Sequence, residues 1–188
     1  MKPCADCLVE IDHRNELPWF LNRYGLTGEF AEVGVFKASY SQTLLEHWTG
    51  KTLHLIDPYK QYPQSVYFDS TNLEDQEAVY REAQRNVARF GTRAHFMRME
   101  SLEAAPQFAD CSLSGVFLDG NHKREFAAAD IEVWFPKVMY GGLFSGHDFY
   151  TRKKDTDSDA LNAVLDFAEK INVRPHVTWC NSWWFIKP

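Results

Sequence analysis

Short runs of β-branched, aromatic and aliphatic residues alternate along the chain with stretches whose apolar residues recur every three or four positions. That alternation is the pattern of β/α units around a parallel sheet. Residues 8–24 read as a leading helix, with Leu17, Phe20, Leu21 and Tyr24 at helical spacing and Gly25 as its stop. Phe30–Phe36 is the first predicted strand, and Ser39 with Gln42 forms a capping box that opens a helix to about Trp48. Thr52–Ile56 is the second strand. After a polar, aromatic loop, Thr71 and Glu74 are expected to cap a helix that ends at Phe90-Gly91.

Ala94–Met97 and Leu113–Leu118 read as the third and fourth strands, with a brief helix capped by Ser101 and stopped near Pro106 between them. A helix over about Lys123–Phe135 precedes Pro136. Gly141-Gly142 is expected to turn into a fifth strand, Leu143–Ser145. Asp157 caps a last helix whose Ala160, Val164, Phe167 and Ile171 share one face. Val177–Cys180 and Trp183–Ile186, around Asn181-Ser182, read as a hairpin. Five β/α units and a hairpin make a doubly wound α/β sheet with right-handed crossovers and helices on both faces. Ligands in such sheets bind beyond the carboxyl ends of the strands, so the residues just after each strand carry the functional reading.

Composition narrows the class. The chain has 188 residues, 45% of them hydrophobic and 15% aromatic, enough for one solid core. Its net charge of -6 argues against a nucleic-acid partner, which would need an electropositive face. No run is long enough to span a membrane, and MKPCADCLVEIDHR has acids where a secretory signal needs an apolar stretch. The expectation is a cytoplasmic protein whose Cys4, Cys7, Cys111 and Cys180 are thiols, with Cys4 and Cys7 an incidental pair in the tail. Arg152-Lys153-Lys154 reads as a solvated loop. Trp179, Trp183, Trp184 and Phe185 read as core positions of the hairpin, with an interface patch as the other reading.

The turn Glu32-Val33-Gly34-Val35-Phe36-Lys37-Ala38-Ser39 has one glycine where a dinucleotide fold places three, and Phe36 stands at the second. It crowds out a pyrophosphate and suits a ligand with an adenosine and a cationic end, for which Glu32 supplies negative charge. Asp57 ends the second strand 23 residues after Gly34, near the ~20-residue spacing of an acid that binds ribose hydroxyls. Met99-Glu100-Ser101 follows the third strand, where a side chain can reach an adenine edge. Asp119-Gly120-Asn121-His122 ends the fourth strand and Gly146-His147-Asp148-Phe149-Tyr150 the fifth. Neighbouring strands would bring Asp119, His122, His147 and Asp148 together, able to hold a divalent metal or to orient a proton acceptor.

In these residues the chain resembles class I S-adenosylmethionine-dependent methyltransferases. Phe30–Ser41 looks like their first motif and Leu55–Tyr59 like their ribose-acid motif. Leu118–His122, Trp134–Val138, Gly141–Leu143 and Gly146–Asp148 are similar to the branch with catechol-type and sugar-tailoring O-methyltransferases. The resemblance implies a Rossmann-like seven-stranded sheet of order 3-2-1-4-5-7-6 with the last strand antiparallel. It implies that Glu32 and Gly34 face the methionine part of S-adenosylmethionine, that Asp57 holds the ribose, that Glu100 or Ser101 lies near the adenine, and that Tyr59 offers a stacking surface. Metal-dependent relatives use an acid after the fourth strand and two acid or amide ligands after the fifth. Asp119 and Asp148 match, while His147 fills the remaining position and suits Mn²⁺, Fe²⁺ or Zn²⁺ better than Mg²⁺.

The expected reaction is therefore O-methylation of a small-molecule acceptor by a domain over residues 26–188, with 1–25 as a leading tail and helix. His147 is the expected base or metal ligand, and Asp119 and Asp148 orient it or hold the metal; Asp119 also borders the cofactor. A second copy of the chain is left open as a partner. An NAD-dependent oxidoreductase and a non-catalytic binding protein on the same fold are the rival readings, and the single-glycine turn speaks against the former.

Overall fold

The computed structural model describes residues 11–67, 70–149 and 160–188. The expected Asp157 cap, the Arg152-Lys153-Lys154 loop and the Cys4/Cys7 pair lie outside them. The elements run α1 (Leu17–Arg23), β1 (Glu29–Val33), α2 (Ser39–His47), β2 (Thr52–Ile56), α3 (Gln76–Val87), β3 (Ala94–Met97) and α4 (Ser101–Ala104). They continue β4 (Leu113–Leu118), α5 (Arg124–Trp134), β5 (Val138–Gly146), α6 (Ala160–Lys170), β6 (His176–Val177) and β7 (Trp183–Ile186). The sheet order is β3-β2-β1-β4-β5-β7-β6, as expected, and β7 runs antiparallel to both β5 and β6.

Successive strand residues bury to opposite faces, which is why the strands read as continuous apolar runs. Phe30, Leu55, Phe117 and Trp184 join Leu17, Phe20, Leu21, Leu44, Leu45 and Trp48 in one core beneath α1 and α2. Their neighbours Ala31, Ile56, Val116, Trp183 and Phe185 join Ile131, Trp134, Val164 and Phe167 in the other, beneath α5 and α6. Three of the four C-terminal aromatics are thus core, whereas Trp179 is 78% exposed. Cys111 and Cys180 are free thiols. Among the described residues no helix is long and apolar enough to cross a membrane.

Several boundaries differ from expectation, each for a local reason. In the leading segment a 3₁₀ turn over Arg14–Glu16, capped by His13, precedes α1. Pro18 lacks an N–H and so belongs to a first helical turn; α1 therefore starts at Leu17. The N-cap of α2 is Ala38 in the left-handed region, with no side-chain cap, so the Ser39/Gln42 box does not form. The fifth strand begins at Val138, and Gly141-Gly142 is a bulge within it, because pairing jumps from Leu113–Val138 to Gly115–Leu143.

Asp75, rather than Thr71 and Glu74, caps α3, its carboxylate accepting from the N–H groups of Glu77 and Ala78 at 3.1 and 3.3 Å. Asp75→Ala is expected to cost about 1 kcal/mol and to lower the melting temperature by ~2–4 °C. Thr71→Ala should move it less; a larger loss from Thr71→Ala in parallel thermal melts would return the cap to that residue.

Candidate functional site

The site forms where β1, β2 and β4 end. Gly34, just past β1, has φ +84°, and a Cβ there would lie 2.0 Å from the Asp119 carbonyl oxygen. Only glycine lets the turn after β1 approach the end of β4 so closely. The turn continues through Phe36 and Ala38, both with positive φ, which points successive amides toward β2. Val35 and Phe36 donate their backbone N–H groups to Asp57 Oδ2 at 3.0 and 2.9 Å, and Tyr59 donates to Oδ1 at 2.8 Å. Asp57 thus organises the glycine turn, leaving lone-pair capacity on Oδ1 for a ligand.

These ends open onto a cavity of about 670 Å³, whose walls include Arg14, Glu32, Gly34, Asp57, Tyr62, Glu100, Asp119 and Asp130. Glu32 is 2% exposed, and its Oε2 has no hydrogen-bond partner among the described residues. Burial, with the neighbouring charge of Asp119, pushes its pKa up to about 8.

Beyond β3, Glu100 lines the cavity with its carboxylate engaged by the Tyr62 hydroxyl at 2.7 and 2.8 Å and by Lys60. Ser101 does not cap α4, whose N-cap is Glu100. Its hydroxyl instead donates to Asp130 and accepts from Trp134 Nε1 at 2.8 Å. Asp130 is buried, which raises its pKa to about 6. Tyr59, expected as a stacking surface, is 2% exposed, packs against Tyr80 and does not line the cavity. Left-handed backbone at Tyr59, φ 46°, and its N–H bond to Asp57 accompany that inward placement. Tyr62 and Tyr67 form the aromatic wall in its place.

At the ends of β4 and β5 the four expected groups do meet. His122 Nε2 lies 3.1 Å from Asp148 Oδ2, and His147 Nδ1 lies 3.0 Å from the same oxygen and 3.6 Å from Asp119 Oδ1. The other nitrogen of His147 lies 3.0 Å from the Cys180 carbonyl oxygen. Carbonyls and carboxylates only accept, so both nitrogens of His147 carry protons and the ring is an imidazolium. Burial alone would lower its pKa, but the hydrogen bond it donates to Asp148 and the charges of Asp119 and Asp148 outweigh that and raise it. Asp148 is shifted the opposite way: burial raises its pKa, and His147 and His122 lower it further than burial raises it.

Ligand atoms of Asp119, His122 and Asp148 all lie within 4.8 Å of one another, close enough to hold a metal ion; that set contains His122 where the sequence suggested His147. In this arrangement, however, the two carboxylates already face cations. Asp119 Oδ2 is 3.5 Å from Arg14 Nη1, and Asp148 holds His147. Nothing local in the sequence signals Arg14, which is brought from the leading segment by tertiary packing.

A family model described as a methyltransferase domain matches residues 31–149. No curated protein sequence matches the chain. Among solved structures, a candidate caffeoyl-CoA O-methyltransferase from Staphylococcus aureus has a TM-score of 0.68 at 12% identity, covering 96% of this chain and 85% of its own. The O-methyltransferase NovP has a TM-score of 0.65 at 14% identity, with coverages of 92% and 77%. The O-methyltransferase TomG from Streptomyces achromogenes, in complex with S-adenosylmethionine, has a TM-score of 0.56 at 15% identity, with coverages of 93% and 80%. At such identities these likenesses speak to the fold.

Proposed function

The chain belongs to the methyltransferase domain family, and from that premise we propose that it transfers a methyl group from S-adenosylmethionine to a hydroxyl of a small-molecule acceptor. The observation that carries the reading is the grouping of Glu32, Gly34 and Asp57 around one cavity. A buried carboxylate oxygen without a partner among the described residues calls for a cationic ligand group, the glycine turn lets a ligand approach backbone, and Asp57 keeps capacity for a ribose hydroxyl. A cavity of about 670 Å³ suits a ligand of nucleoside size. We assign this chemistry to residues 26–188, with residues 1–25 as the leading segment that delivers Arg14.

When bound, S-adenosylmethionine supplies an electrophilic methyl carbon attached to a sulfonium. The chain must orient the acceptor, exclude water and take the hydroxyl proton. His147, held as an imidazolium, has no lone pair for that proton, so we assign the base to His122. Its Nε2–H is held by Asp148 at 3.1 Å, which leaves Nδ1 to accept. Asp148 stabilises the imidazolium that results, and His147 fixes Asp148. Arg14 and His147 supply the positive charge beside Asp119 and Asp148, so the proton passes to this chain's own residues. Were an ion bound, Asp119, His122 and Asp148 would hold it and would give up these contacts.

Calorimetric titration tests the reading. The protein is expected to bind S-adenosylmethionine at one site and NADH not at all; the reverse would defeat it. Because Glu32 is neutral below about pH 8 in the free protein, ionising it on binding releases a proton. Affinity should then rise with pH, by up to about tenfold per unit, until the ligand's own α-ammonium begins to lose its proton at about pH 8, and fall above that. Glu32→Gln should weaken binding and flatten the profile; a wild-type affinity independent of pH would remove Glu32 from the cationic subsite.

A further inference from the structure

We infer that His54 and His95 form a binding site for a transition-metal dication of the Ni²⁺ and Cu²⁺ class, which clips β2 to the edge strand β3. The pair lies within the sheet rather than beyond its carboxyl ends, so the site is independent of the cavity reading. Three observations carry it.

First, the two imidazoles already converge. His54 and His95 stand directly opposite one another in the parallel β2–β3 ladder. They are 41 residues apart in the chain, yet their Nδ1 atoms lie 3.0 Å from each other. Imidazole nitrogens bind such metals at about 2.0–2.1 Å. Two nitrogens 3.0 Å apart therefore subtend roughly 94° at a shared ion, whereas tetrahedral ligands would stand roughly 3.3–3.4 Å apart. The spacing suits two neighbouring corners of the square-planar or tetragonal geometry that Ni²⁺ and Cu²⁺ adopt.

Second, the lone pairs are in place. His54 Nε2 lies 3.1 Å from Glu29 Oε2. A carboxylate only accepts, so Nε2 carries the proton and the neutral ring keeps its lone pair on Nδ1. Burial lowers the His54 pKa and favours that neutral ring. His95 Nδ1 then donates the bond between the rings, and moving its proton to Nε2 frees a second lone pair for an ion. A carboxylate behind a histidine is the outer-shell partner that fixes the tautomer and orientation of a metal-binding ring. The neighbouring cation, Lys51, is paired with the same carboxylate at 3.2 Å.

Third, the pair is held on one side and open on the other. The His54 side chain is 12% exposed, and its ring packs against Phe108 with centroids 4.8 Å apart, whereas His95 is exposed. The fixed ring presents one ligand, the exposed ring can turn to bring the second onto the same ion, and water reaches the remaining positions. Because β3 is the outer strand of the sheet, an ion held by both rings ties that edge to its neighbour.

Calorimetric titration with Ni²⁺ tests the site on the wild type, His95→Gln, Glu29→Ala and His122→Ala, with thermal melts of each metal-free protein to establish folding. The wild type is expected to show a binding event that His122→Ala retains and that His95→Gln weakens by about tenfold or more. Glu29→Ala, which keeps both rings, should weaken it by about 10- to 100-fold. At Ni²⁺ about 100 times Kd, the wild-type Tm should rise by ~5–10 °C, a rise kept by His122→Ala and missing from His95→Gln. Heats with Mg²⁺, which takes oxygen ligands, should be the same in the wild type and His95→Gln. A wild type that does not bind Ni²⁺ overturns the site, as does an event that His95→Gln leaves intact. An event lost in His122→Ala also overturns it and places the ion at Asp119, His122 and Asp148 instead.

Discussion

His122→Ala is expected to lower kcat by about 10²- to 10⁴-fold, the usual contribution of a positioned base, while leaving S-adenosylmethionine affinity within about threefold. His122 has one nitrogen committed to Asp148 at 3.1 Å and no hydrogen bond to the other from the described residues, whereas His147 has both nitrogens facing acceptors. His147→Gln should therefore act differently, keeping a donor toward Cys180 or Asp148 and retaining much more turnover than His122→Ala. It should also change the pH dependence of stability. The folded pKa of His147 is raised above 6.5, so its stabilising contribution is complete below the unfolded pKa and is lost as pH rises through the folded one. Wild-type stability should fall across that alkaline-going window, and His147→Gln should lack the slope. The measurements are turnover on a panel of phenolic and sugar hydroxyls, with donor affinity and unfolding free energy taken in parallel. Full activity in His122→Ala, with loss in His147→Gln at intact donor affinity, would return the base to His147. Turnover is expected to survive EDTA; a loss restored by Mn²⁺ would instead make His122 a metal ligand beside Asp119 and Asp148.

What was legible in the chain follows from how local each signal is. Thr52–Ile56, Ala94–Met97 and Leu113–Leu118 occur at their expected bounds: Leu113–Leu118 is buried on both faces and reads as an unbroken run, and the other two are short β-prone runs ended by polar turns. The order of the seven strands came through resemblance to a family, since period and propensity do not say which strand lies beside which. Asp119, His122, His147 and Asp148 converge because β4 and β5 are neighbours, a consequence of topology that their positions after strands already implied. Their division of labour was not legible. It depends on the Cys180 carbonyl, which reaches His147 from a turn 33 residues away. Arg14 and Asp130 were missed for the same reason. One is brought in by packing of the leading turn on Tyr40 and Cys180, the other by a hydroxyl of Ser101 that had read as a helix cap. Tyr59 is buried rather than facing the cavity, and the backbone after Asp57 is left-handed there, which residue type alone does not announce.

The largest loss of stability is expected from Gly34→Ala, and Gly25→Ala separates its two causes. Both glycines have positive φ, +84° and +69°, so alanine at either site incurs the left-handed penalty of about 1–2 kcal/mol. At Gly25 an added Cβ meets nothing within 4 Å, and the cost should stop there. At Gly34 the same atom meets the Asp119 carbonyl oxygen at 2.0 Å, its carbon at 2.4 Å and the Gly120 nitrogen at 2.8 Å. These are backbone atoms at the end of a central strand, so no side chain can rotate aside. Relief requires β1 and β4 to part where Asp119 N donates to the Val33 carbonyl at 2.7 Å. Overpacking of this kind adds about 1–3 kcal/mol or more, for a total near 2–5 kcal/mol against ~1–2 kcal/mol at Gly25. That shift would also move Asp119 away from Arg14 and His147, so any Gly34→Ala protein that folds should bind S-adenosylmethionine more weakly than Gly25→Ala. Equal losses of unfolding free energy in urea for the two variants would show that the strand ends are not as close as this contact requires.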